Sequence, residues 1–419
     1  MASTELGDRL LSSLAGEYGT PLYVYDGKMI AERYDAFYSA FSGRFANVRI
    51  CYALKANTSL AVCSLLRDLG AGADVVSAGE LKTALAAGFS PEDIIYTSNS
   101  KSDSDLALAV DAGVIINVDS AGELESLGKI AAGRKKTARI SFRVNPGVNP
   151  KTHPKIATGL AESKFGLHIE GGLALAAYRK AARMKHIAVI GVQAHIGSQI
   201  QDAGNFVDSA RRLFDFALEL KKIGIALDFI DFGGGLGISY QGAKSLQPEE
   251  LAKALEPVIR DGFKRLGYRP ALVFEPGRYI VAESGILLTR VNSVKKTPYK
   301  NFINVDSGFN TLMRPAMYDA YHRVRIVGRK GSSETYDIAG NVCETGDILA
   351  RDRMLPKARK GDIIAILDTG AYGMSMTSSY NSQTLPAEVL VRGKRADLIR
   401  QRGEQDDLYW RQKIPEDLS

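Results

Sequence analysis

No run of about 18 apolar residues occurs in the 419-residue chain, so no segment is expected to cross a bilayer as a helix. The opening stretch, MASTELGDRLLSSLAGEYG, lacks a basic start followed by an apolar run. No secretory leader is therefore expected, and the chain reads as a cytoplasmic protein without a membrane partner. Cysteine is scarce: Cys51, Cys63 and Cys343 make an odd number in a long chain, which is no disulfide framework. A strong charge of one sign is also missing, since 54 basic against 47 acidic side chains leave only +7. The one basic concentration, Arg392, Lys394, Arg395, Arg400 and Arg402, reads as part of a solvated surface helix over 392–413 rather than a nucleic-acid patch. No G-x-G-x-x-G follows the first strand, which weakens a dinucleotide-binding reading. No metal site, internal repeat or low-complexity linker is expected.

What is present is an alternation. Short β-branched runs, VRICYA (48–53), ADVV (73–76), IIYT (94–97), VIINV (114–118), RISFRV (139–144), VIGVQAHI (189–196), FIDFG (229–233) and LVFEP (272–276), are separated mostly by Ala- and Leu-rich stretches of helical length. Continuous apolar strands between amphipathic helices indicate a parallel sheet covered by helices, and eight such units predict a closed (β/α)8 TIM-like barrel. After residue 285 the texture changes. LLTRVNSV (287–294), FINVDS (302–307), RVRIVG (323–328) and DIIAILD (362–368) read as strands of a second, antiparallel β-rich domain. The expected division is 28–284 for the barrel and 285–419 for the second domain. PLYVYD (21–26) is expected to join the second domain's sheet, with a helix over Lys28–Phe41 leading into the barrel.

The chemically capable residues fall at the carboxyl ends of the barrel runs, where such barrels build their active sites. Lys55 follows the first run, and Ser77 and Glu80 the second. Arg143 and Asn145 end the fifth, and His195 and Ser198 end the sixth. GGGLG (233–237) follows the seventh and EPGR (275–278) the eighth. Glycines in the last two loops let backbone N–H groups approach a phosphate.

At YALKAN (52–57), HIGSQ (195–199), GGGLG, EPGR, MRPAMYDAYH (313–322), CETGD (343–347) and DTGAY (368–372), the chain resembles diaminopimelate decarboxylases. These are barrel-fold enzymes dependent on pyridoxal 5'-phosphate, related to ornithine and arginine decarboxylases. The motifs run in the family's order over nearly the whole chain. The cysteine motif departs slightly: the family commonly has CESGD after Gly-Pro, where this chain has Asn341, Val342 and Thr345.

The resemblance implies that Lys55 is the Schiff-base lysine, its amine partly desolvated at a strand end. It makes Glu275 the partner of the pyridine nitrogen, where alanine racemases place an arginine. His195 would stack on the cofactor ring. Ser198, Gly234, Gly235, Pro276, Gly277 and Arg278 would form the phosphate seat, closed by Tyr372. Cys343 would be the general acid, supplied by the partner subunit of a homodimer with sites at the interface, while Cys51 and Cys63 belong to the core. Arg278, Arg314, Tyr318, Glu344 and Tyr372 would bind the amino-acid substrate. Meso-diaminopimelate carries both signs at its far end, so a distal Arg314 suits it and would repel ornithine or arginine. The implied reaction is its decarboxylation to L-lysine. Decarboxylation of ornithine, arginine or carboxynorspermidine, an amino-acid racemase, and a non-catalytic cofactor carrier stay open at this stage.

Overall fold

The β-branched runs do what their composition favours, forming strands whose side chains pack on both faces. The computed structural model describes residues 6–150, 162–242 and 244–418. Its first strand, β1 (Leu22–Asp26), precedes a series of parallel strands: β2 (Val48–Ala53), β3 (Gly72–Val75), β4 (Ile94–Thr97), β5 (Ile115–Val118), β6 (Ala138–Asn145), the short β7 (Leu167–His168), β8 (Ile187–Gln193), β9 (Phe229–Asp231) and β10 (Ala271–Phe274). Neighbours pair in the order β2-β3-β4-β5-β6-β8-β9-β10, and β10 returns to β2 with Leu272 opposite Val48. The sheet is thus a closed eight-stranded barrel, with β7 attached to β6 outside the ring. Each of the eight expected runs supplies one barrel strand.

Polar residues start the covering helices. Ser77 and Ser120 accept the backbone N–H groups of Glu80 and Glu123, and Ser102 forms a capping box with Asp105. Each cap satisfies an amide that would otherwise be orphaned at the helix start, worth about 1 kcal/mol. Cys51, Ile95, Ile115, Phe229, Ala271 and Val273 form one apolar cluster of the barrel core. Cys51 and Cys63 are buried, as expected, and burial pushes the Cys63 thiol up to about 12.

The chain divides into two compact units: Ile30–Ser239 with Ala243–Ile280, and Met1–Met29 with Tyr240–Gly242 and Val281–Ser419. The second contains β11 (Gly285–Lys296), β12 (Asn301–Val305), β13 (Val324–Ile326), β14 (Ser333–Ala339), β15 (Ile348–Pro356), β16 (Ile363–Leu367), β17 (Ala387–Arg392) and β18 (Arg395–Arg400). Its sheet runs β15-β14-β12-β11-β1-β17-β18, with β16 pairing β11 and β13. It is mixed rather than purely antiparallel: β1 pairs antiparallel with β11 but parallel with β17, and β12 with β14 is parallel too. The early strand Leu22–Asp26 therefore lies between β11 and β17 in this sheet.

The basic C-terminal stretch corrects an expectation. Instead of a surface helix, Arg392–Arg400 completes an antiparallel hairpin, β17–β18. Asp397 accepts from Arg392 and Arg395, and Arg400 pairs with the buried Glu388. These carboxylates offset cations that would repel one another along a single helix face.

Candidate active site

Lys55 sits in the 3₁₀ turn Leu54–Ala56 immediately after β2. Its Nζ donates to Asp74 Oδ2 at 2.8 Å. The expected apolar surroundings are therefore only part of the story, because a fully buried carboxylate on β3 holds the amine. Asp231 ends β9 and Glu275 follows β10, and both are buried as well. Three carboxylates thus gather near one lysine at the carboxyl ends of the strands. Burial pushes Asp231 up to about 7, and burial together with the charges of Asp231 and Asp74 pushes Glu275 well above the usual carboxylate range. Gln193 Nε2 donates to both Glu275 oxygens, at 3.1 and 3.3 Å. Asp74 Oδ1, Asp231 Oδ2 and Gln193 Oε1 are buried without a hydrogen-bond partner among the described residues. Such oxygens are costly unless a donor or cation meets them.

The loops after β8, β9 and β10 interlock through their backbones. The Glu275 N–H donates to the Gly233 carbonyl, and the Ile200 N–H to that of Gly235, each at 2.9 Å. Glycine is required where they cross. A Cβ on Gly234 would stand 2.1 Å from the Glu275 carbonyl oxygen, and one on Gly235 (φ +118°) 2.4 Å from that of Gly197. The Gly234 N–H donates to His195 Nδ1 at 3.1 Å. That N–H is engaged within the protein, so Gly234 serves these loops by its missing side chain and by fixing the imidazole. The neutral ring consequently carries its proton on Nε2. Burial, reinforced by Lys55 and Arg143, pushes His195 well below its ordinary value.

On the same loops, Arg278 is buried and donates to Ser198 Oγ through Nε (3.3 Å) and Nη2 (3.0 Å). Pro276 accepts the Ala53 N–H, and Gly277 packs against Ala53 and Ala56, so EPGR abuts the turn that carries Lys55. Arg143 is buried with its guanidinium over the Phe165 ring at 4.3 Å. Ser77 and Asn145 have local roles, the first capping a helix and the second accepting the Gly147 N–H. Glu80 accepts the Val76 N–H at 2.9 Å, and burial pushes its carboxyl up to about 7.

The second unit holds the remaining expected residues on three segments. Arg314 is buried, with its guanidinium 4.6 Å from the centroid of the Tyr240 ring, and Tyr318 ends the same short helix, Arg314–Tyr318. Tyr372 lies in DTGAY with a left-handed φ of 57°. Cys343 and Glu344 are exposed on one loop. Asn381 Oδ1 accepts the Cys343 N–H at 2.8 Å, and Tyr380 donates to Glu344 at 2.7 Å. Asp347 is buried and accepts the Phe309 and Val342 N–H groups at 2.6 and 2.7 Å, so its work in CETGD is to tie the loop down.

Asp74, Asp231 and Gln193 were not singled out from the sequence. The available signal was a polar residue near the end of a strand buried on both faces, where an apolar one is the default.

Residues 28–282 match the family model of the pyridoxal-dependent decarboxylase, pyridoxal binding domain. A diaminopimelate decarboxylase of Archaeoglobus fulgidus is 45% identical over 408 residues, covering 97% of this chain and 96% of that one. This chain belongs to the diaminopimelate decarboxylases. Another such decarboxylase, of Methanothermobacter thermautotrophicus, is 46% identical over 407 residues, 96% of this chain and 94% of the relative. The crystal structure of diaminopimelate decarboxylase from M. jannaschii in co-complex with L-lysine matches with a TM-score of 0.93 at 40% identity, covering 97% of this chain and 95% of that one.

Pyridoxal phosphate suits the residues of the barrel unit. The buried, proton-hungry carboxylates and their orphaned oxygens call for a cationic or N–H-bearing group. Lys55 supplies an amine beside them, and Ser198, Arg278 and the glycine cradle offer donors and room for a phosphate.

Proposed function

We propose that this chain removes carbon dioxide from meso-diaminopimelate to give L-lysine, using pyridoxal phosphate held by Lys55. The observation that carries the reading is Glu275. A buried carboxylate beside the acidic Asp231 and Asp74 gathers negative charge that favours a protonated pyridine nitrogen, which decarboxylation needs and racemisation avoids. When bound, the cofactor's protonated ring takes up the electron pair left as the bond to the departing carboxylate breaks.

The protein's own residues do the rest. Glu275 binds the ring nitrogen, with Gln193 orienting its carboxyl. His195, held by Gly234, would stack on the cofactor ring. Ser198, Gly235, Gly277 and Arg278 hold the phosphate, with Gly234 and Pro276 shaping the seat and Tyr372 closing it. Asp74 holds the Lys55 amine when that amine is not bound to the cofactor. Cys343 gives its Sγ proton to the decarboxylated carbon and regains one from solvent. Arg278, Arg314 and Tyr318 bind the substrate carboxylates, and Glu344 the distal ammonium. The exposure of Cys343 supports its delivery to a partner subunit, in a homodimer with shared sites. We read the protein as cytoplasmic, in keeping with the absence of any described helix long and apolar enough to cross a membrane.

The test is carbon dioxide and lysine release by cofactor-loaded protein offered meso-diaminopimelate, ornithine and arginine in parallel. Lysine from diaminopimelate alone is expected. Turnover of ornithine or arginine would overturn the substrate assignment, and absence of carbon dioxide from all three would overturn the reaction.

A further inference from the structure

His322 closes the MRPAMYDAYH segment, has no place in the mechanism above, and is completely buried. Its Nδ1 lies 2.8 Å from the Leu367 carbonyl oxygen, and its Nε2 lies 2.8 Å from Arg314 Nη1. A carbonyl oxygen only accepts and a guanidinium only donates. The proton must therefore be on Nδ1 and the lone pair on Nε2, which fixes both the tautomer and the neutral state. The Tyr240 ring meets the imidazole edge-on at 5.4 Å and lies against the Arg314 guanidinium at 4.6 Å. Arg353 donates to the His322 carbonyl at 3.4 Å, tying down the backbone of the same residue.

These contacts matter because of where Arg314 sits. It begins a five-residue helix, too short to hold a long side chain by its own turns, and each of that side chain's torsions must be fixed from outside. A carboxylate partner would fix them but would also cancel charge needed to attract a substrate carboxylate. A neutral imidazole orients the fork and leaves its full charge in place.

We propose that His322 is a positioning residue for substrate: it takes one N–H of Arg314 and so sets the direction in which the others meet the distal carboxylate of diaminopimelate. The proposal rests on the reading of Arg314 as a carboxylate ligand, and the test separates the two.

His322→Asn puts its amide where Nδ1 was, keeping the Leu367 contact and losing the Arg314 contact. His322→Gln reaches the Nε2 position and keeps the Arg314 contact. Loss of a hydrogen bond to a charged group weakens binding by roughly tenfold or more. His322→Asn is thus expected to raise KM for diaminopimelate by about that factor while kcat, cofactor absorbance and melting temperature hold. His322→Gln should restore KM. The inhibition constant of L-lysine, which retains the distal carboxylate, should rise in step, whereas that of cadaverine, which has none, should not move. If Arg314→Ala raises KM but His322→Asn does not, the positioning role is wrong and the Arg314 reading stands. If Arg314→Ala leaves KM unchanged, both fall. If both His322 variants fail to give soluble, cofactor-loaded protein, the histidine serves folding and the proposal is overturned.

Discussion

Asp231 and Glu275 carry protons at a pH where carboxyl groups of an unfolded chain, with values near 4, have lost theirs. Over that interval the folded, cofactor-free protein binds more protons than the unfolded chain. Its stability must therefore fall as pH rises through the raised values. Cofactor-free protein should lose melting temperature between about pH 5 and pH 8 more steeply than loaded protein, in which a cation offsets the cluster. Asp231→Asn should flatten the cofactor-free curve. Thermal melts across this range decide it, and superimposable curves for the wild type and Asp231→Asn would count against the cluster.

At this scale the sequence was most legible where residues sit in distinctive motifs, and least where they work singly. Lys55, His195, Glu275 and Arg278 stand in short patterns whose neighbours are themselves constrained, for example by the close approach at Gly234. Asp74 and Asp231 are lone acids in apolar strands. Nothing local distinguishes them from an ordinary strand end, and only the closure of the ring brings both beside Glu275.

Among the elements, barrel strands were readable because burial on two faces demands unbroken β-branched runs. The second unit's sheet was partly readable. Short apolar-rich runs marked strands such as Asn301–Val305 and Ile363–Leu367, but not their parallel or antiparallel sense, which depends on which distant segment arrives beside them. The C-terminal hairpin was misread because its arginines dominated the pattern, while the carboxylates facing them, Glu388 and Asp397, lie within the same two strands. The loop carrying Cys343 shows the opposite lesson: an acid in a recognisable motif can be architectural. Removing Asp347 strips acceptors from two buried or partly buried amides, each worth about 1.5–3 kcal/mol when the acceptor is charged. Asp347→Ala should lower the melting temperature and cut kcat, while cofactor absorbance stays intact because Lys55 belongs to the other unit. Normal kcat in the variant would mean that the loop needs no such anchor.

For the whole molecule, the proposed homodimer with shared sites can be put to a complementation experiment. On that proposal Lys55→Ala lacks the cofactor's lysine and Cys343→Ala the proton donor, so each alone should be inactive. Mixed and reassociated at random, half of the dimers are hybrids with one intact site, restoring about a quarter of wild-type activity. No recovery from hybrids shown to form would mean that Cys343 serves its own chain's Lys55.

The first strand of the second unit, β1, pairs with a strand made long after it, Leu22 lying opposite Ala387. The barrel is encoded between them. On the ribosome the barrel can collapse as soon as β10 emerges, but β1 must wait for Ala387–Arg392 before its last neighbour exists. Until then that edge of Leu22–Asp26 offers unpaired amides and carbonyls, and contacts so distant in sequence are slow to form. Emergence of β17, rather than emergence of the barrel, is then the event that completes the pairing of this strand. A chain cut short before Ala387 would keep every barrel strand yet leave β1 an open template for other nascent copies.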